Sequence, residues 1–408
     1  MQKKLLAVAV AGALALPGAA SAASSVTITG FFKVSYAWTK VSDQVNGVNQ
    51  CGAAAGGSCS QTQDRVQDES SRIYFRVVED LGGGLQAIGQ VDWRIAMDTG
   101  SDAANGANWV GLRSKSWGQV TMGRHDLHYI YTEDQSYSRG GSLKGVNTSI
   151  IAYSAGGVFA IANATRTPNT VVWDSPNWKG FNLKVAYSTN PYAANEADIG
   201  SQVSDGYAVN IAPQYNAKNW GIGYSYWQGK NDNSTFALPA TSPIAGVVAA
   251  QIKTTGNRIN AHYQWGGFRL GVVWDQSKIK DSNGATAATP LCGVGVGCGT
   301  ISKRDAWSIP LRYDFGKWSV FGHYSWAQND KGQAFNGLNS KAKMWAIGGA
   351  YSLSKRTKLA LEWAQIKNKE DAAYNLFTNA TGTLGSASNT VFPGQDPSQL
   401  AFTVTHNF

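Results

Sequence analysis

The chain has 408 residues and a formal charge of +9, and its basic groups are dispersed rather than clustered, which argues against a nucleic-acid partner. It is too long for one small core, yet no shift in composition marks a linker. Beyond the N-terminus no run is long and apolar enough to span a membrane as a helix, although the 15 Trp and 17 Tyr are residue types that gather at membrane–water boundaries.

Lys3 and Lys4 precede an apolar run from Leu5 to Leu16, followed by Pro17, Gly18 and the small-residue site Ala20-Ser21-Ala22. A basic start, a short apolar stretch and an A-x-A-like exit describe a secretory signal peptide over residues 1–22, cleaved after Ala22. A spanning helix would need about 20 apolar residues. Residues 23–408 then form one exported domain. Its four cysteines lie in two close pairs, Cys51 with Cys59 and Cys292 with Cys298, which read as loop disulfides in an exported chain, with other pairings open. No nearby His or Cys completes a metal set, and no cofactor is expected.

From Val26 onward the chain alternates in segments of about ten residues, a length and period suited to strands. Val26, Ile28, Phe32, Val34, Tyr36 and Trp38 share one face; Thr27, Thr29, Phe31, Lys33 and Ser35 share the other. Ile259, Ala261, Tyr263 and Trp265 oppose Arg258, Asn260, His262 and Gln264, and Phe268, Leu270, Val272 and Trp274 oppose Arg269, Gly271, Val273 and Asp275. Trp307, Ile309, Leu311, Tyr313 and Phe315 oppose Ser308, Pro310, Arg312 and Asp314.

Short connections alternate with long ones. The short set is Asp80 to Gly84, Lys115 to Gly118, Ser175 to Gly180, Asn216 to Asn219, Gly266-Gly267, Gly316-Lys317 and Ser354 to Thr357. The long set includes Gln44 to Gln67, His125 to Gly157, Asn231 to Lys253, Lys280 to Ser302 and Asp371 to Pro397. The alternation ends on Leu400, Phe402, Val404 and the last residue, Phe408, so the terminus itself is a paired strand. These features predict an all-β, 16-stranded antiparallel transmembrane barrel with seven tight periplasmic turns and eight long external loops. Pro213 and Pro310 fall inside strands that have no free edge, which predicts a bulge or a short unpaired stretch at each.

Ser71-Arg72-Ile73-Tyr74-Phe75-Arg76, followed by Glu79-Asp80-Leu81-Gly82-Gly83-Gly84-Leu85-Gln86-Ala87, resembles the second strand, first turn and third strand of the general bacterial porins of Gram-negative outer membranes, β-proteobacterial type. Trp109-Val110-Gly111-Leu112 and Trp117 to Arg124 resemble their fourth and fifth strands. The resemblance implies a 16-stranded barrel, a homotrimer, and a third external loop folded into the lumen, where wall arginines face acidic loop residues. Arg72 matches the family's second-strand arginine, and Arg166 matches the arginine after the third loop by its spacing to Trp173 and Gly180. The fourth-strand arginine is missing, with Gly106 in its place, and Arg76 and Arg94 lie on the lumen phase where they could compensate.

Lumen-phase bases are Lys33, Arg72, Arg76, Arg94, Arg166, Lys184, Arg258, Arg269, Arg312 and Lys358, against Asp92, Asp98, Asp174, Asp275, Asp314 and Glu362. That excess predicts a water-filled channel for small hydrophilic solutes that prefers anions, unless the arginines merely pair across strands. Glu133 and Asp134 are the expected acidic side of the constriction, and Arg124, on the outward phase, an interface or loop anchor. Outer-membrane lipid and lipopolysaccharide are the expected surroundings.

Two other classes compete. A substrate-specific channel for organic acids, phosphate or sugars would use the same wall, and a secreted soluble β-rich carbohydrate-binding protein would turn it inside out. An enzyme is not expected: none of the five histidines belongs to a nucleophile motif, and His125 and His128 beside Asp126 lack further metal ligands. The glycine run Gly293 to Gly299 lacks the Lys-Ser/Thr of a phosphate loop.

Overall fold

The computed structural model describes residues 24–42, 60–131, 137, 140–164, 166–191, 206–231, 236–237, 248–249, 252–281, 299–376 and 391–408. Sixteen wall strands run antiparallel, each bonded to the next. They are β1 (Ser25–Val41), β2 in two segments (Gln61–Asp68 and Arg72–Gly82), β3 (Leu85–Ile95), β4 (Trp109–Ser114), β5 (Gly118–Asp126) and β6 (Arg166–Asp174). Then come β7 (Phe181–Ser188), β8 (Tyr207–Asn216), β9 (Trp220–Asn231), β10 (Ile252–Trp265) and β11 (Phe268–Asp281). The last five are β12 (Thr300–Phe315), β13 (Trp318–Ala327), β14 (Ala342–Ser352), β15 (Thr357–Asn368) and β16 (Pro397–Asn407). The first and last pair in register from Phe31↔Asn407 to Val41↔Pro397, which closes the barrel and leaves no edge.

The alternation resolves in the sense a bilayer requires. Val110 and Ile347 are more than 60% exposed on the outer wall, and Ile259, Val272, Ile309, Leu361, Phe402 and Val404 share their outward phase. The opposite phase carries Ser35, Ser225, Thr254, Ser277, Ser308, Ser325 and Thr403, all buried inside the barrel. Among the described residues no helix is long and apolar enough to cross a membrane.

Aromatic rings form rows near both ends of the wall. On the tight-turn side Trp265 stacks on Phe268 and Phe268 on Tyr313, with centroids 5.2 and 4.2 Å apart. On the long-loop side Trp274, Trp307 and Trp326 follow one another at 6.2 Å. Rings in these rows have one apolar edge and one wet edge, as a membrane boundary asks.

Both prolines stay in register. Pro213 faces Leu183 on β7, but the β8–β9 ladder skips Ala212 and Pro213. Pro310 faces His323 on β13, and the β11–β12 ladder skips it likewise. Each lacks pairing on one side only, without a bulge, so the strand count stands. The expected first loop is shorter than its polarity suggested, because Gln61–Asp68 pairs with Val34 to Val41. That segment lies toward the external end, where both faces of a strand are wet and the greasy alternation stops.

Between the two segments of β2 the register to β1 moves by one residue, from Val34↔Asp68 to Phe31↔Arg72. Ser70 adopts φ 70°, and the Asp68 carboxylate accepts from the Ser70 and Ser71 amides at 2.7 and 3.2 Å. The break aims Glu69 and Ser70 into the lumen, where both are buried.

At the seam, the Gly30 and Phe408 amides each donate to the other's carbonyl, and the Phe408 ring lies 4.9 Å from that of Phe32. A Cβ on Gly30 would stand 2.3 Å from the Arg72 carbonyl oxygen and 2.8 Å from the Phe408 ring, so glycine makes room for the neighbouring strand and the terminal aromatic alike. Phe408→Ala is therefore expected to loosen the seam by about 1 kcal/mol or more. The urea midpoint of the folded, unheated species should fall; an unchanged midpoint would show that the ring does not hold the ends together.

Candidate pore constriction

The described part of the third external loop, between β5 and β6, turns into the barrel rather than away from it. It holds a short helix, Thr148–Ile151, and several single turns, and Leu127, Ile150, Ile151 and Ile161 are almost fully buried. They pack on inward-facing apolar residues of the wall, among them Val172, Trp227, Ile252, Ile279, Ile301, Met344 and Ile366. These wall residues break the polar inner phase where the loop covers it. Burial of this order is worth about 1.5–3 kcal/mol per large side chain, which draws the loop inward.

A buried charge cluster fixes its position. Asp275 on β11 accepts from Arg258 on β10 through Nε at 3.0 Å and Nη2 at 2.8 Å, and from Arg304 Nη2 on β12 at 2.7 Å. The spare donors go to loop carbonyls: Arg258 to His128 at 2.9 Å, Tyr129 at 3.2 Å and Ile151 at 3.1 Å, and Arg304 to Ile150 and Ile151. Two of these carbonyls end the Thr148–Ile151 helix, where unpaired carbonyls and partial negative charge collect. His128 places Nδ1 2.9 Å from Ser225 Oγ and Nε2 3.6 Å from Asp275. Further along, Asn147 donates to Ser308, the Gly145 carbonyl meets His323 Nε2 at 2.8 Å, and Glu69 accepts from the Leu143 amide and the Ser142 hydroxyl. Arg258 and Asp275, expected to face the water path, instead lie fully buried beneath the loop as its anchor.

Across the lumen, β2, β3, β5 and β6 carry a second charge cluster. Asp92 on β3 lies 3.4 Å from Arg72 Nη1, 3.3 Å from Arg94 Nε and 3.9 Å from Arg166 Nε. Arg166 also meets Asp126 at 3.2 Å, and the Tyr129 hydroxyl donates to the same carboxylate at 3.1 Å. Three guanidiniums thus share two carboxylates. Ser70, set by the break in β2, accepts Arg72 at its carbonyl and hydroxyl and Arg94 at its hydroxyl. Arg72 keeps more of its side chain open than Arg94 or Arg166, and its guanidinium stands 5.1 Å over the Phe31 ring.

Gly106 gives the missing fourth-strand arginine a physical account. A Cβ there would fall 2.0 Å from the Asp92 carboxyl carbon, and the Ala107 amide donates to Asp92 Oδ2 at 3.2 Å. The carboxylate occupies the space a side chain would need. Arg76 is exposed lower on the wall, donating to Gln90 at 2.9 Å with its guanidinium 4.6 Å over Tyr74. Lys184 pairs with Asp174 at 3.2 Å near the β6–β7 turn, apart from the arginine cluster. Lys33 lies within electrostatic reach of Glu69 and Glu362.

Glu133, Asp134 and the four cysteines lie outside the described residues. Among the described residues no group of three or more acidic, His or Cys side chains is placed to hold a metal ion. Arg304, Glu69 and the hub role of Asp92 escaped sequence reasoning. Arg304 shares the inward phase of Ser308 and Arg312, so extending that phase to the start of β12 would have found it.

Removing the anchor acid leaves two buried guanidiniums without a counter-charge, a loss of about 3–5 kcal/mol. Asp275→Asn is expected to free the loop, raising single-channel current noise and conductance in planar bilayers; a quiet channel of unchanged conductance would contradict the anchor. Burial, reinforced by the Arg258 charge, holds the His128 imidazole down at about 4. Between about pH 6.5 and 4 the released loop would take up a proton that the docked loop refuses, so docking weakens as pH falls through that window. Channel noise should rise across the same range.

The family model described as Gram-negative porin matches residues 7–371. An outer membrane porin protein of Bordetella pertussis is 27% identical over 391 residues, covering 90% of this chain and 95% of the relative. Outer membrane porin protein 32 of Delftia acidovorans is 27% identical over 385 residues, covering 92% of each chain. In fold, the chain is similar to the anion-selective porin from Comamonas acidovorans, with a TM-score of 0.67 at 21% identity over 94% of this chain and all of that one. The trimer form of OmpT from Vibrio cholerae follows at a TM-score of 0.63 and 12% identity, over 95% of this chain and all of that one. A closed barrel, an inward third loop and a family match over most of the length agree: the chain belongs to the Gram-negative porin family, an outer-membrane β-barrel that forms a channel for passive diffusion.

Proposed function

We propose that this channel passes small anions in preference to cations, and that Arg72, Arg94 and Arg166 set the preference. The observation that carries this reading is the unequal sharing of charge at the narrow wall, where three guanidiniums meet only Asp92 and Asp126 among the described residues. A second basic pair supports it. Lys144 on the loop and Arg65 on β2 line the same small recess toward the external end, with Gln63 and Thr39 beside them. Arg76 continues positive charge toward the periplasmic end. The selectivity stated for the Comamonas acidovorans porin agrees with this lining.

Magnitudes favour a moderate effect. Opposite charges at 4 Å gain about 1 kcal/mol in bulk water and about 4 kcal/mol at an effective dielectric near 20. Screening acts over about 8 Å at physiological salt, so the preference belongs to dilute solution and fades in concentrated salt. In the same reading, residues 1–22 are an export signal, Cys51 with Cys59 and Cys292 with Cys298 close external loops, and Glu133 and Asp134 add acidic charge to the loop. The working unit is a homotrimer in a leaflet of lipopolysaccharide, and the barrel carries no catalysis.

The test is charge reversal. Arg72→Glu should lower the chloride-to-potassium permeability ratio several-fold in dilute salt, whereas Lys343→Glu, on the outward phase, should leave it unchanged. A ratio unmoved by Arg72→Glu would remove that residue from the selective wall. Burial, with Arg65 nearby, draws the Lys144 ammonium down to about 8. Its charge is present below that pH and lost above it. Anion preference should therefore weaken as pH rises from 7 to 9, and a ratio flat across that range would take Lys144 out of the ion path.

A further inference from the structure

The outward face of β9 to β12 places lysine opposite lysine, repeatedly, at the external end. Lys230 faces Lys253, Lys253 faces Lys280, and Lys278 faces Lys303. Like charges directly opposed across a ladder repel. The adjoining loop sequences carry few acids: residues 282–299 contain no charged side chain, and residues 232–251 contain only Asp232. Asp281 ends β11 on the inward phase, and Asp305, one pair below Lys278 and Lys303, accepts from Gln276 at 3.1 Å.

The order of residues up this wall is that of a membrane boundary. Val272 and Ile309 lie lowest, both 41% exposed on the lipid phase. The Trp274 and Trp307 rings come next, 6.2 Å apart, then Gln276 with Asp305, then the lysines. Lys278 is four residues above Trp274, about 13 Å along the strand and about 10 Å in height at a barrel tilt near 40°. Flexible stems let the ammonium groups reach back to the headgroup layer. Farther round, Lys343 faces Lys367, which pairs with Asp396 at 2.8 Å.

We infer that the outward lysines of β9 to β12 form a binding site for the phosphorylated glycolipid anchor of lipopolysaccharide, with acyl chains along the Val272 and Ile309 wall, and the phosphates neutralising Lys253, Lys278, Lys280 and Lys303. This rests on the reading that the outer wall stands in a lipopolysaccharide leaflet, and it adds where on the wall that lipid is held. The site is separate from the water path, because these lysines have the opposite phase to Arg258 and Arg304 on the same strands.

The test titrates delipidated barrel in detergent with bisphosphorylated lipid A and with the same lipid dephosphorylated, reading bound lipid by native mass spectrometry. Wild type should bind the phosphorylated form roughly tenfold tighter or more, and joint Lys278→Gln, Lys280→Gln and Lys303→Gln should abolish that difference. Excess inorganic phosphate should not displace the lipid. Equal binding of the two lipids, undiminished binding by a folded triple variant, or full displacement by free phosphate would each overturn the assignment. Should the triple variant fail to fold, the two-lipid comparison on wild type decides alone. Bilayer selectivity on the same wild-type preparation separates the two proposals: loss of anion preference with lipid binding intact would sink only the solute reading.

Discussion

Hydrocarbon offers no partner for a backbone amide, and every other feature of this chain follows from how that constraint is met. The antiparallel ladder runs from β1 round to β16 and back to β1, so the wall has no edge to leave unpaired. Once the wall closes, alternation sorts side chains into a lipid face and a lumen face. The two ends inherit different tasks, with tight turns on one side and loops long enough to fold back on the other. Even the prolines obey, since each keeps its pairing on one side where its missing amide is not needed.

The lumen imposes a second requirement, that a loop be held at fixed depth inside a wide tube. Apolar packing pulls it in, but greasy contact alone is non-directional. Position comes from the Arg258–Asp275–Arg304 cluster, whose donors reach carbonyls from two stretches of the loop. Burying such charges costs several kcal/mol per ion unless partners surround them, and here the carboxylate and the loop backbone supply those partners. The facing arginines are arranged differently. They share too few acids to be neutralised, and a break in β2 turns Ser70 inward to orient them. One cluster is closed beneath the loop, and in the other guanidiniums outnumber carboxylates.

Much of this was legible in the residues. Period-two alternation, turn chemistry at Asp80 to Gly84 and the terminal Phe408 carry the barrel, because facing and closure are local consequences of sequence. Arg72 and Arg166 were expected at the constriction through family resemblance, and the fold brings both near Asp92. What escaped was everything decided by the loop's path through space. Arg258 and Asp275 have the same phase as pore-lining residues, and nothing in a strand's own pattern says whether water or a folded loop stands in front of it. Gln61–Asp68 escaped for another reason: above the bilayer both faces are wet, and a strand there has no greasy stripe to announce it. Gly106 looked like a lost arginine, but it is the clearance for a carboxylate supplied by the neighbouring strand.

The most direct measurement is the zero-current potential of the wild-type channel in a planar bilayer separating dilute from concentrated potassium chloride. The account predicts a potential of the sign set by chloride moving faster than potassium. A potential of the opposite sign, or a bilayer that carries no current at all, would contradict it.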